Sequence, residues 1–216
     1  MDKNTIIRNT ETFVRDQLIN AEGGHDWSHI IRVVNNAKKI AEKEHADGFV
    51  VELGALLHDI ADSKFHNGNE EIGPEKAEEF LITQELPENI IRHVVNIIRS
   101  VSFKGGNIKQ EFNSRELEII QDADRLDALG AIGIARTFNY GGFKRRALYD
   151  PEISPKLNLT KEEYKNSTAP TINHFYEKLL LLKERMNTET GRKMAEERHE
   201  FLEKFLGQFF REWNGN

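Results

Sequence analysis

The chain predicts an all-α fold, and three observations carry that prediction. Apolar residues recur at helical spacing almost throughout its 216 residues, and the alternation of a half-buried strand is rare. Capping residues and prolines stand where the periodic stretches begin. With 38% hydrophobic and 31% charged residues, the chain can bury a core, and we expect a single soluble domain over residues 1–216.

The elements follow in order. A first helix is expected over about residues 4–20. A second opens at Asp26, a side chain suited to an N-cap, after Gly23 and Gly24, and runs to about residue 46. The stretch FVVELGALLHDIA, residues 49–61, is apolar nearly all round, which marks a buried central helix. Pro74 and Pro87 suit first helical positions and open helices of about 74–84 and 87–101. Ser114 caps a helix to about residue 129, and another continues to about residue 139. Residues 140–166 read as a long irregular segment, and such segments often serve as lids. Two long helices close the chain, the last with a stripe of Phe201, Leu202, Phe205, Leu206, Phe209, Phe210 and Trp213 that reads as core packing.

Charge and composition exclude several classes. A net charge of −6 disfavours nonspecific nucleic-acid binding. No apolar run reaches the roughly 20 residues that a membrane-crossing helix needs, and the N-terminal stretch has no signal-peptide core. The chain has no cysteine, which excludes disulfides and thiolate metal sites and fits a cytoplasmic location. A homodimer stays open.

Chemistry enters where polar residues interrupt apolar faces. His29 falls in line with Val33, Ala37 and Ile40. His58 and Asp59 end the apolar central helix. Asp124 shares a face with Leu117, Ile120 and Asp127, so it is expected on the buried stripe. One buried histidine is usually a hydrogen-bonded core residue, and one buried aspartate is often half of an ion pair, with Arg125 or Lys64 as partner. Four such groups from three helices favour metal binding instead, since a buried carboxylate needs a partner. Two imidazoles and two carboxylates suit manganese, cobalt, nickel, magnesium or iron, with zinc also compatible.

The order of these groups, together with LLHDIADSKF, SFKGG and QDADRLDALGAIGIART, resembles the HD-domain metal-dependent phosphohydrolases, in particular a bacterial single-domain subgroup that includes nucleoside triphosphate pyrophosphohydrolases. The resemblance implies a compact helical fold with one divalent metal ion held by His29, His58, Asp59 and Asp124. It implies a small-molecule nucleotide or phosphate ester as substrate. The runner-up activity is that of a phosphomonoesterase or nucleotidase. A di-iron oxygenase would need further ligands, and His93 has no second histidine after it in RSVSF. A non-catalytic nucleotide sensor is the remaining class.

Further residues are assigned by chemistry and spacing. Asp62, three residues after Asp59, is the expected general base. Lys64 and Lys104 are expected phosphate contacts. His25 precedes His29 by four residues, but Gly23 and Gly24 place it outside the helix, so it is given at most an outer role. In the lid-like segment, Gly141 and Gly142 supply backbone freedom, and Lys144, Arg145 and Arg146 form a basic cluster. Arg145 and Arg146 are expected to hold a phosphate chain through their guanidinium groups.

Overall fold

A computed structural model describes residues 1–19, 26–61, 69–101, 112–157, 159–160, 163 and 166–216. Among the described residues there are nine α-helices and no strand. The expected all-α architecture is therefore what the chain adopts. Contacts sort the described residues into two compact units, one ending at Asp124 and the other running from Arg125 to Asn216.

In the first unit, α1 (Lys3–Gln17) is capped by Asp2. The second helix, α2 (Trp27–Glu44), ends at His45, which takes the left-handed conformation at φ 54°. The apolar helix α3 (Gly48–Leu57) begins at Asp47, whose carboxylate accepts the N–H groups of Phe49 and Val50. It lies at the centre of the unit, packed by α1, α2 and α5 (Glu88–Val101). Nearly every side chain of α3 is buried, and the half-buried exception, Glu52, is bonded by Lys38 at 2.8 Å. A Cβ on Gly54 would lie 2.6 Å from Ile120 Cδ1 and 3.3 Å from Ile97 Cγ2, so this glycine lets α3, α5 and α6 (Arg115–Asp127) close on one another. Pro74 falls at the third position of α4 (Ile72–Thr83) rather than the first. That is still within the turn whose N–H groups have no helical partner. Pro87 lies one residue outside α5, and its carbonyl accepts from Ile90 and Ile91.

The division between the units falls inside α6. Beyond it come α7 (Gly130–Phe143), the short α8 (Asn173–Glu177) and the long α9 (Glu189–Trp213). Two expectations are corrected here. The irregular segment begins at Lys144, not Tyr140, because Gly141 and Gly142 lie within α7. Gly141 is needed there for close packing, since a Cβ would stand 2.3 Å from Thr171 Oγ1. The penultimate long helix is also absent. The chain breaks at Lys178 (φ −141°) and continues as two 3₁₀ turns, Leu179–Leu181 and Lys183–Arg185. Those turns bury Leu179, Leu182 and Met186, a spacing of three to four residues that a short tight helix satisfies as well as a long one. In α9, Leu202 and Leu206 are buried and Phe205 stacks on Phe175, whereas Phe201 and Trp213 are exposed.

Candidate metal centre

The site assembles in the first unit from three helices. Asp26 caps α2 as the sequence predicts, its Oδ1 accepting the backbone N–H of His29 at 2.9 Å. The cap fixes the first turn of α2 and thereby the direction of the His29 side chain. His29 is almost fully buried, in line with Val33 and Ala37 on the core face. Two turns further on that face, buried Asn36 donates through its amide to the carbonyl of Ala123 at 3.4 Å. This bond ties the His29 helix to the residue just before Asp124.

His58 follows the last residue of α3 and keeps helical backbone angles. Its Nδ1 lies 2.8 Å from the carbonyl of Ala55. A carbonyl only accepts, so Nδ1 carries the proton and Nε2 presents its lone pair. That Nε2 faces Asp124 Oδ1 at 4.0 Å, and His29 Nε2 faces the same oxygen at 3.6 Å. The two rings meet edge-on with centroids 5.3 Å apart. His29, His58 and Asp59 each offer a ligand atom within 4.8 Å of the others.

This arrangement fits a metal ion. Ligands about 2.1 Å from one ion stand roughly 3.0 to 4.2 Å apart, from neighbouring to opposite positions. Both distances to Asp124 fall in that span. The tautomer of His58 leaves the nitrogen on the site free to bind, and the hydrogen bond to Ala55 orients the ring as such outer partners do in metal sites.

Asp124 departs from expectation in its burial. Its side chain is 43% exposed, while Leu117 and Ile120 on the same face are fully buried and Asp122 is the buried acid of the DAD stretch. The residues flanking it on this face, Ile120 and Asp127, are buried, so the carboxylate stands at a local opening of the site to solvent. Asp127, one turn on, is the aspartate that forms a buried ion pair, accepting from Arg136 at 2.6 Å. Arg125 donates to the carbonyl of Arg185.

The other predicted residues are distributed differently. His25, Asp62, Lys64 and Lys104 lie outside the described residues. His93 is partly buried, its Nε2 3.0 Å from Ser114 Oγ and 3.4 Å from Glu116. Ser114 also accepts the N–H of Leu117 and so caps α6 as predicted. Arg145 and Arg146 belong to the second unit. Arg145 is exposed at φ 54°, and Arg146 is half-buried, with its guanidinium donating to the carbonyl of Ser167. Asn36 is a further residue of this frame, and its signal in the sequence is a polar side chain on the His29 face.

A model of the HD domain matches residues 26–129, a span that contains all four candidate ligands. YpgQ of Bacillus subtilis, described as uncharacterized, is 40% identical over 198 residues, 91% of this chain and 88% of its own. The chain belongs to the HD-domain family. The crystal structure of an HD-superfamily hydrolase from Bacillus thuringiensis is 43% identical, with all of both chains covered and a TM-score of 0.80. That of B. subtilis YpgQ in complex with ADP is 35% identical over 98% of this chain and 97% of that one, with a TM-score of 0.77. In this chain the His58–Asp59 pair stands at the end of the buried helix α3.

Proposed function

We propose that this protein is a divalent-metal-dependent phosphohydrolase of nucleotides, converting a nucleoside or deoxynucleoside triphosphate to the monophosphate and pyrophosphate. The observation that carries the reading is the convergence of His29, His58 and Asp124, with Asp59 beside them, on one partly open site. The likeness to HD-superfamily hydrolases supports hydrolysis, and the ADP complex of B. subtilis YpgQ supports a nucleotide as substrate. A divalent ion there, of manganese, cobalt, nickel, magnesium, iron or zinc, supplies Lewis acidity, acidifying water and neutralising charge on a phosphoryl oxygen.

In this reading the oxygen of water bonds to the α-phosphorus, and the bond from that phosphorus to the bridging oxygen breaks. Pyrophosphate leaves with that oxygen. Asp62 takes the proton of the attacking water, Lys64 and Lys104 contact phosphate oxygens, and Arg145 and Arg146 hold the phosphate chain. The whole chain, residues 1–216, works as one HD domain whose irregular segment serves as a lid.

The test is a nucleotide panel assayed with each divalent metal, with products identified. We expect monophosphate and pyrophosphate, and an Asp124→Ala protein that keeps its helical content but loses more than about 100-fold in rate, beyond what loss of an outer metal-site partner costs. Full activity in Asp124→Ala refutes the site. Hydrolysis of simple phosphomonoesters without any triphosphate replaces the substrate reading with that of a nucleotidase.

A further inference from the structure

In the second unit, α7 is built almost wholly of uncharged residues. In its sequence, GAIGIARTFNYGGF, Arg136 alone carries a charge, and its guanidinium is bonded to Asp127 at 2.6 Å. Part of the helix surface packs on α9: Arg198 abuts Gly130, and the ring of Phe138 lies 5.9 Å from that of Phe205. Elsewhere around the helix Ala131, Ile132, Ala135, Asn139, Tyr140 and Phe143 are exposed, Ile132 by 44% and Phe143 by 68%. Ala131, Ala135, Asn139 and Phe143 succeed one another at four-residue spacing, with Ile132 beside them, so they share one stripe. A helix that meets water normally turns charged residues toward it, and a contiguous uncharged, largely apolar stripe marks a contact surface. The two ends of the helix differ in charge. Lys144 and Arg145 follow its last turn, both exposed, with Lys144 Nζ 5.3 Å from the Phe143 ring. Beside its first turn, Glu196 and Glu197 of α9 are exposed and immediately precede Arg198, which is itself half-buried and donates to the Leu126 carbonyl.

We propose that the exposed stripe of α7 is the contact between two copies of this chain, related by a two-fold axis that sets the two helices antiparallel. Charge selects this occupant and this orientation. Antiparallel helices bring the cations Lys144 and Arg145 of each copy to the end where the partner's Glu196 and Glu197 stand, and the two-fold axis makes that contact twice. Parallel helices would set cations against cations and carboxylates against carboxylates. Ala131 and Ala135 let the two backbones approach, while Ile132 and Phe143 supply apolar area to remove from water. One helix face is a small patch, so the association is reversible rather than permanent.

The experiment is sedimentation velocity of the full chain over about 5 to 500 µM, the range in which a micromolar contact dissociates. We expect a species of twice the chain mass that grows with concentration. Ala135→Glu sets two carboxylates into the stripe and should weaken the association at least about tenfold, since like charges brought together in a contact cost several kcal/mol. Two charge reversals test the orientation. Lys144→Glu with Arg145→Glu, and separately Glu196→Lys with Glu197→Lys, should each leave the protein monomeric. An equimolar mixture of the two should associate as the parent does, because both ends of the mixed pair are again complementary. Recovery in the mixture also shows that both variants are folded. A parent of single-chain mass at every concentration overturns the proposal. So does an Ala135→Glu protein that associates like the parent, which would put the contact on another face, or a mixture that stays apart. None of these outcomes requires a metal or a nucleotide, so they are separate from any failure to hydrolyse a triphosphate.

Discussion

His58 and His174 show how neighbouring atoms decide what an imidazole can do. The carbonyl of Ala55 takes the Nδ1 proton of His58 and leaves Nε2 for the site. Around His174, burial and two cations keep the ring uncharged until the pH reaches about 3. That depression has a sign in stability. An unfolded histidine titrates near 6.5, so between about 3 and 6.5 the unfolded chain binds the extra proton, and the contribution of His174 is full above that window and falls away as pH drops through it. We expect the parent protein to lose stability relative to His174→Gln on acidification from pH 6.5 to 4.5, at up to about 1.4 kcal/mol per pH unit, in urea unfolding followed at each pH. Parallel pH profiles would show that the ring is not held neutral. The four candidate ligands were legible because each interrupts an apolar helical face: His29 among Val33 and Ala37, His58 and Asp59 after Leu57, Asp124 after Ile120. His174 was not, because its helix spans five residues and has no face long enough to make one polar residue stand out.

Among the elements, the junction of α6 and α7 combines a left-handed backbone with a close neighbour. Gly130 takes φ 65°, and a Cβ there would lie 3.2 Å from Arg198 Cγ. The Arg198 guanidinium in turn donates to the carbonyl of Leu126, closing the last turn of α6. Gly130→Ala combines left-handed strain with a displaced arginine, and we expect a loss of about 1–2 kcal/mol in chemical denaturation. A loss below a few tenths would mean that the junction relaxes freely. The helical spacing gave most of the element order to within a few residues, including the caps at Asp26 and Ser114. It failed at Gly141, where glycine serves packing against Thr171 rather than a turn, and after Lys178, where leucines at spacing three to four are buried by 3₁₀ turns. Periodicity does not separate these cases, because it reports which residues face inward and not how the backbone delivers them.

At the scale of the whole molecule, the division into two units meets a continuous helix. All four candidate ligands lie in the unit that ends at Asp124, yet α6 runs unbroken from Arg115 to Asp127. Its last turn carries Asp127, whose buried carboxylate is paired with Arg136. Unwinding α6 from its first residue onward would therefore disturb that pair as well, and a buried charge deprived of its partner costs about 3–5 kcal/mol. From this we expect α6 to melt as a whole rather than from one end. Hydrogen exchange with and without manganese measures it. A metal present at about 100 times its dissociation constant stabilises the folded state by about 2.7 kcal/mol, which slows about a hundredfold every amide that exchanges only through unfolding of the body holding the site. We expect that slowing both at Leu53 and Leu56 of α3 and at Leu202 and Leu206 of α9, and at none of them in Asp124→Ala. Slowing confined to α3 would mean that the second unit opens without the first and that α6 melts from its C-terminal end while Asp124 stays in place.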